Sequence, residues 1–401
     1  GFCFDRASVV KAFAPLILQA LKRKIKIFLL CGPDARNSWP NNPKYQPLKK
    51  NIYLPYNIKK KVNFLYFKNN QRLEKLIIKN KISHFFTLHF EPRKFGKTLP
   101  NLRKNNIKIC CLQWTGDFTN VSPRALAQVD WFFVYSSWIA KLYCKIHPAC
   151  LKNKLRKKII PCGNPILDSV YDLARPEEIR QKYRLPQNKK IVLLLTLDPF
   201  YPWAKWVFTA QSKIQLFLNF RLHRDPKLII KYCRDTSYKQ ILQALRNWCE
   251  KNNALLIGKS RSRHREPLFL KEICHKVILE DKDWYPIMST ELMSIADLLV
   301  NFNSAGIWEA AFFKVYGLTI DVLDTPGRSH LLPFRRDPKM YQFKGVGRWI
   351  DYKKFPGFLE RHSLSDFKVD KNQQKKYIKR YLEFEKPQAS RIIINHLIKM
   401  S

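Results

Sequence analysis

The sequence predicts an α/β protein built from two doubly wound parallel-sheet domains that face each other across a cleft. Three observations predict it. Short apolar runs of strand length alternate with amphipathic helical segments along the 401-residue chain. The alternation stops at "CGNPILDSVYDLARPEEIRQKYRLPQNKK", from Cys162 to Lys190, and then starts again. The hydrophobic share of 46% is enough for two cores and excludes a disordered chain.

The elements follow in order. Ser8 to Lys22 has the spacing of a helix and Ile25 to Cys31 that of a strand. A Pro/Asn-rich loop, "GPDARNSWPNNPKYQP", comes next. Val62 to Phe67 is strand-like and Gln71 to Lys79 helical. Ser83 to Leu88, Ile107 to Leu112, Trp131 to Tyr135 and Lys158 to Pro161 read as strands, with a helix over Ser137 to Ile146. After the break, "IVLLLTL" is a strand and 203 to 219 a helix. Strands are expected at Leu228 to Ile230, Ala254 to Gly258, Val277 to Leu279, Leu298 to Phe302 and Leu318 to Val322. Helices are expected at Ser237 to Lys251, Thr290 to Ala296 and Ser304 to Lys314, and two basic helices split at Pro387 fill 370 to 399. The expected division is a first α/β domain over 1–165, a linker over 166–188, a second α/β domain over 189–369, and terminal helices over 370–401 that pack back towards the first domain.

Lys and Arg number 74 against 31 Asp and Glu, a formal net charge of +43. Such an excess suits a polyanion, either nucleic acid or an anionic membrane surface. The cations are spread through "LKRKIKIF", "NIKKKVNF", "LKNKLRKKII" and "KKYIKRYL". That spread points to Lys-, Ile- and Asn-rich codon usage as the main cause, with polyanion contact secondary. No nucleic-acid module is recognisable, which counts against that partner. The ten cysteines form no CxxC and no regular framework, so they read as reduced, mostly buried thiols of a cytoplasmic protein. Cys144, His147, Cys150 and Cys162 fit no common zinc spacing, and no metal is expected. No apolar run approaches the ~18 residues that span a bilayer, and no signal peptide is visible. A cytoplasmic location is expected, with peripheral contact at the inner face of the membrane. The chain begins with Gly rather than Met, so a short preceding piece is expected.

In open parallel sheets ligands bind beyond the carboxyl ends of the strands. "VNFNSAGIWEAAFF", 300 to 313, lies at such an end. Asn303, Ser304, Ala305 and Gly306 let a ligand approach the backbone, and the first amides of the following helix suit a phosphate. Ser304 is either the helix cap or a phosphate donor, and Glu309 either a ribose ligand or a solvated surface acid. "LLIGKSRSRHREP" crowds Lys259 and Arg261 behind Gly258, as a diphosphate clamp or a solvated basic loop. "GFCFDRAS" reads as the loop from a truncated first strand to the first helix. Asp5 there is a candidate general base, and capping by Asp5 or Ser8 is its ordinary role. "LQWTGDFTNVSPRAL" puts Trp114, Thr115, Gly116 and Asp117 beyond another strand, and "TLHFEPRKFG" puts His89 and Glu91 beside them. Asp117 is a second candidate base and His89 a third titratable group, with Glu91, Trp114, Thr115 and Gly116 on the acceptor side.

On the linker "GNPILDSVYD" (163 to 172), on "SIADLLVNFNSAGIWEAAFF" (294 to 313) and on the terminal helices, the chain resembles the GT-B glycosyltransferase superfamily. It is similar to the branch that holds UDP-N-acetylglucosamine 2-epimerases and CDP-glycerol glycerophosphotransferases. The resemblance implies a nucleotide-activated donor of UDP or CDP type in the second domain and an acceptor in the first. Ser304, Ala305 and Gly306 would meet the diphosphate, Glu309 the ribose, and Lys259 or Arg261 the phosphates. No metal or other cofactor is implied, because helix dipole and cations stabilise the leaving group. Three departures accompany it: "FFKVYGL" stands where Gly-Lys-Pro is usual after the Glu helix, "QWTGD" where glycerophosphotransferases begin with His-Gly-Thr, and the epimerases' acid and His set is not clearly present. The expected activity is transfer of a sugar or polyol phosphate to a cell-surface glycan or lipid-linked acceptor. An epimerase-like isomerase is the alternative, and a non-catalytic polyanion binder a further one.

Overall fold

The computed structural model describes residues 1–4, 9–32, 56–88, 95, 97–113, 123–148, 150, 155–196, 237–260, 268–279, 287–302, 304–321 and 338–399. The first domain runs β1 (Phe2–Phe4), α1 (Val10–Lys22), β2 (Phe28–Cys31), α2 (Tyr56–Lys59), β3 (Asn63–Tyr66), α3 (Asn70–Lys79) and β4 (His84–Thr87). It continues through α4 (Thr98–Lys104), β5 (Lys108–Leu112), α5 (Pro123–Gln128), β6 (Trp131–Val134), α6 (Ser137–Ile146) and β7 (Ile159–Pro161). A 3-10 helix (Pro165–Asp172) and α7 (Pro176–Lys182) form the link. The second domain runs β8 (Lys190–Leu195), α8 (Ser237–Lys251), β9 (Ala254–Ser260), α9 (Leu268–Ile273), β10 (Lys276–Leu279), α10 (Met288–Ser294) and β11 (Leu298–Asn301). It closes with α11 (Gly306–Phe312), β12 (Tyr316–Asp321), β13 (Gly347–Asp351) and α12 (Phe355–Glu360), and the chain ends in α13 (Lys371–Tyr381) and α14 (Ala389–Lys399).

Each domain is one parallel sheet. The seven-stranded order is β3-β2-β1-β4-β5-β6-β7 and the six-stranded order β10-β9-β8-β11-β12-β13. Both reverse direction around their first strand, which is the doubly wound topology with its switch point. The strands are apolar on both faces: FLLC of β2, WFFV of β6 and LLVN of β11 are buried throughout, as helices on both sides require. Gly317 and Gly347 are register partners on β12 and β13. A Cβ on Gly317 would stand 1.9 Å from Cδ1 of Ile307. The two glycines therefore form a seat into which α11 drops.

Several elements differ from expectation. Phe2–Phe4 is a strand between β2 and β4, not part of a loop; three residues are too few to show a period. The N-cap of α1 is Val9, without a side-chain cap; Asp5 and Ser8, the expected caps, lie outside the described residues. β9 runs on through Ser260, so Lys259 is a strand residue and not a loop cation. α11 starts at Gly306, with Ala305 and not Ser304 as its N-cap. The strand β13 and the helices α2, α4, α9 and α12 were not expected at all. The expected helix at 203–219 and strand at Leu228–Ile230 lie outside the described residues.

One apolar cluster unites the first sheet with residues of the second domain and the terminal helices. At its centre Trp308 of α11 meets Tyr135, just past β6, edge to face at 5.4 Å between ring centroids. Gln374 of α13 donates to the Ala311 carbonyl of α11 at 2.7 Å. At its other end α13 reaches α6: Ser136 Oγ donates to the Arg380 carbonyl, and Ser137 donates to Glu383 through N–H and hydroxyl. α14 lies on α1. The linker holds α14, because both Asp168 oxygens accept from its first amides, Ala389 at 3.1 Å and Ser390 at 2.6 Å. Gly163 enters that linker at φ +91, a left-handed conformation that favours glycine.

Candidate functional site

The carboxyl ends of β8, β9 and β11 and the start of α11 converge on Glu309. Thr290 of α10 donates its hydroxyl to Glu309 Oε2 at 2.9 Å, and the Ser289 hydroxyl also bonds the carboxyl. Lys259, one residue before the end of β9, is 6% exposed. A lysine that deep near a carboxylate is an unusual placement, since isolated buried ammonium groups are strongly disfavoured. Its carbonyl accepts from both the N–H and the hydroxyl of Thr196, which ties β8 to β9 at this end. Burial raises the carboxyl pKa of Glu309 above its ordinary value; the Thr290 bond, the Lys11 and Lys259 charges and the Ser289 bond pull it part of the way back. Glu309 is therefore not a solvated surface acid. It is a partly buried carboxylate that feels the charge of a lysine from each domain, Lys11 and Lys259.

Lys11 is the member that sequence reasoning missed. It lies in the first turn of α1, within "VKAFAPLILQALK", a helix buried along most of its length. Pro15 has no N–H to return to the Lys11 carbonyl. A lone cation inside an apolar helix was the available signal.

The turn after β11 is organised by Asn301, fully buried. Its amide donates to the Leu318 carbonyl and to Thr319 Oγ1, and its Oδ1 accepts from Ser304 N–H at 2.9 Å. Ser304 Oγ accepts from Gly306 N–H at 3.2 Å. Gly306 is small because Leu195 packs there: a Cβ would come within 2.5 Å of Leu195 Cδ1. Ser304 and Ala305 stay partly exposed, so the turn is not sealed beneath the core.

Of the residues singled out from sequence, Lys259, Ser304, Ala305, Gly306 and Glu309 come together here. Asp5, His89, Glu91, Trp114, Thr115, Gly116, Asp117, Arg261 and Asn303 lie outside the described residues. Nine cysteines are free and buried, and Cys233 is not among the described residues. Among the described residues no cluster of three or more His, Cys, Asp or Glu side chains could hold a metal ion. No described helix is long and apolar enough to cross a membrane.

Two parallel-sheet domains, a linker that pins a returning C-terminal helix and a strand-end site in the second domain define the GT-B fold. No family model and no curated protein matches the sequence. Solved structures do match in fold. UDP-GlcNAc 2-epimerase from Neisseria meningitidis bound to UDP-GlcNAc superposes with TM-score 0.60 at 14% identity, over 99% of this chain and 99% of that one. S. aureus MnaA with UDP gives 0.59 at 12% identity, over 99% and 94%. The wall teichoic acid polymerase TagF gives 0.57 at 13% identity, over 99% and 87%. The resemblance to the epimerase and glycerophosphotransferase branch thus holds at the level of fold.

Proposed function

We propose that this chain is a GT-B enzyme that binds a nucleotide-activated donor of UDP or CDP type in its second domain. It would transfer the sugar or polyol phosphate to a cell-surface glycan or lipid-linked acceptor, at the inner face of the membrane. The observation that carries the reading is Glu309, bonded by Thr290 and under the charges of Lys259 from the second domain and Lys11 from the first. In this scheme Glu309 accepts hydrogen bonds from the ribose hydroxyls. Lys259 and the Ser304–Ala305–Gly306 turn hold the diphosphate and stabilise it as it leaves, a role that fixed charges fill in a water-poor cleft. The Ser304 and Gly306 amides already donate to Asn301 Oδ1 and Ser304 Oγ, so diphosphate contact needs those two acceptors to yield. Lys11 closes the cation set from the opposite domain. The general base is Asp117 or Asp5. No metal or other cofactor is part of the scheme.

The test is thermal unfolding with UDP, CDP and their activated forms. A ligand present at ~100 times its Kd stabilises by about 2.7 kcal/mol, which shifts the melting of this chain visibly. If none of these compounds moves it, the proposal fails. A second reading, an epimerase-like isomerase, draws support from length: the epimerase structures align over 94% and 99% of their own chains, the polymerase over 87%. Turnover of UDP-N-acetylglucosamine with no acceptor present would decide for it, and strict dependence on an acceptor would decide against it.

A further inference from the structure

We propose that the outer face of α13 is a docking strip for an anionic lipid surface. This rests on the membrane location in the reading above and names the surface that would make the contact. α13, "KNQQKKYIKRY", carries five cations and no acid. Its inner face (Gln374, Tyr377, Ile378 and Tyr381) is buried, while Lys371, Lys375, Lys376 and Lys379 are exposed. Lys371, Lys375 and Lys379 are four residues apart and so share one face. Like charges at that spacing repel one another and weaken a helix. The face includes one ion pair among the described residues, Lys379 to Glu383 at 3.8 Å.

The neighbouring helix extends the strip. α6 packs on α13 and has no acid in its sequence; Lys141 and Lys145 are exposed there, one turn apart. Trp138, Leu142 and Ile146 are partly exposed beside them. The Arg380 guanidinium lies 4.1 Å over the Trp138 ring. Cations with half-exposed apolar groups are the composition of a membrane-facing surface. The carboxylates that flank α13 directly in sequence are occupied at helix ends, Asp370 with Gln373 N–H and Glu383 with Ser137. Some helices mix their charges: α3 holds Glu74, α7 holds Glu177 and Glu178, and α8 pairs Arg246 with Glu250. α1, α4 and α14 also lack acids but carry two Lys or Arg each, against five in the 11 residues of α13, so what sets α13 apart is the density of its cations. The exposed residues of α13 are Lys and Asn, with no aromatic ring on which a base would stack. That favours phospholipid headgroups over single-stranded nucleic acid.

The test is sedimentation of the full chain with phosphatidylcholine vesicles, plain or with about one third phosphatidylglycerol, at near-physiological salt. The protein should bind the anionic vesicles and not the plain ones. Each lysine near such a surface strengthens binding about fivefold. The variant Lys371→Gln/Lys375→Gln/Lys376→Gln/Lys379→Gln should then bind about 600-fold more weakly, close to three orders of magnitude. The pair Lys371→Gln/Lys375→Gln should fall between, and Gln keeps the helix propensity at all four positions. A control with the same charge change at exposed Lys239, Lys251, Lys271 and Lys354 should bind as the unaltered chain does. Equal loss in both quadruple variants, no preference for anionic vesicles, or tighter binding of duplex DNA through the same lysines would each overturn the proposal. Melting shifts with UDP and CDP are read separately, so failure of the donor site and failure of the strip are distinguishable.

Discussion

Glu309 holds its proton more tightly in the folded chain than in an unfolded one, because burial outweighs the Thr290 bond and the two lysines. The sign follows. Above its raised folded pKa the charged carboxyl detracts from stability. As pH falls through that pKa towards the ordinary value of 4.5 the penalty disappears, and below 4.5 it is absent. Glu309→Gln should therefore raise the melting temperature at neutral pH, and the gain should shrink as the melt is repeated towards pH ~4. The same variant should lose the melting shift with UDP or CDP. A variant that is less stable at neutral pH yet still responds to nucleotide would remove Glu309 from the site. At Gly317 the constraint is steric. Gly317→Ala drives a Cβ into Ile307 and should cost about 1–3 kcal/mol. Ile307→Val removes the clashing Cδ1, so the double variant should recover part of the loss in denaturant titration, a departure from additivity that reports the contact.

Among the elements, α10 has two duties. Thr290 faces Glu309, while its neighbour Glu291, 3% exposed, accepts from Lys182 Nζ at 2.8 Å through both oxygens and from the Tyr183 hydroxyl. The linker thereby fixes the helix that orients the site carboxylate. Lys182→Met leaves a buried carboxylate with one partner fewer. Because Lys182 itself is 47% exposed, the expected loss is about 1–3 kcal/mol, below that of a fully buried pair. The linker's 3-10 helix is a cap for another element. Asp168→Ala deletes both acceptors at the head of α14 and should cost about 1 kcal/mol. Amide exchange should speed up at Ala389 and Ser390 while the amides of β5 and β6 stay protected; uniform acceleration would refute a local cap. The motif "GNPILDSVYD" was legible as a marker of the linker, but this reason for it was not, since its partners lie more than two hundred residues away in sequence.

At the scale of the whole molecule α13 is a strap, bonded to α11 of one domain and α6 of the other. Removing residues 370–401 should split a single cooperative unfolding transition into two, read by calorimetry against the full chain. A truncated chain that still melts in one step would mean that the Trp308–Tyr135 contact couples the domains unaided. The sequence by itself determined the two sheets, most of their strands, the position of the break and the strand-end turn that holds Ser304 and Glu309. Those features are local: a strand buried on both faces must be apolar along its length, and a strand that feeds a helix must end in residues that turn. Only the tertiary structure decided that three residues at the start form an inner strand, that Lys259 is buried at a strand end, that the charge of Lys11 acts on Glu309 from the other domain and that Asp168 caps the last helix. Each of these depends on segments far apart in the chain being brought together, and the energy of a charge depends on what surrounds it in space rather than on what precedes it in sequence.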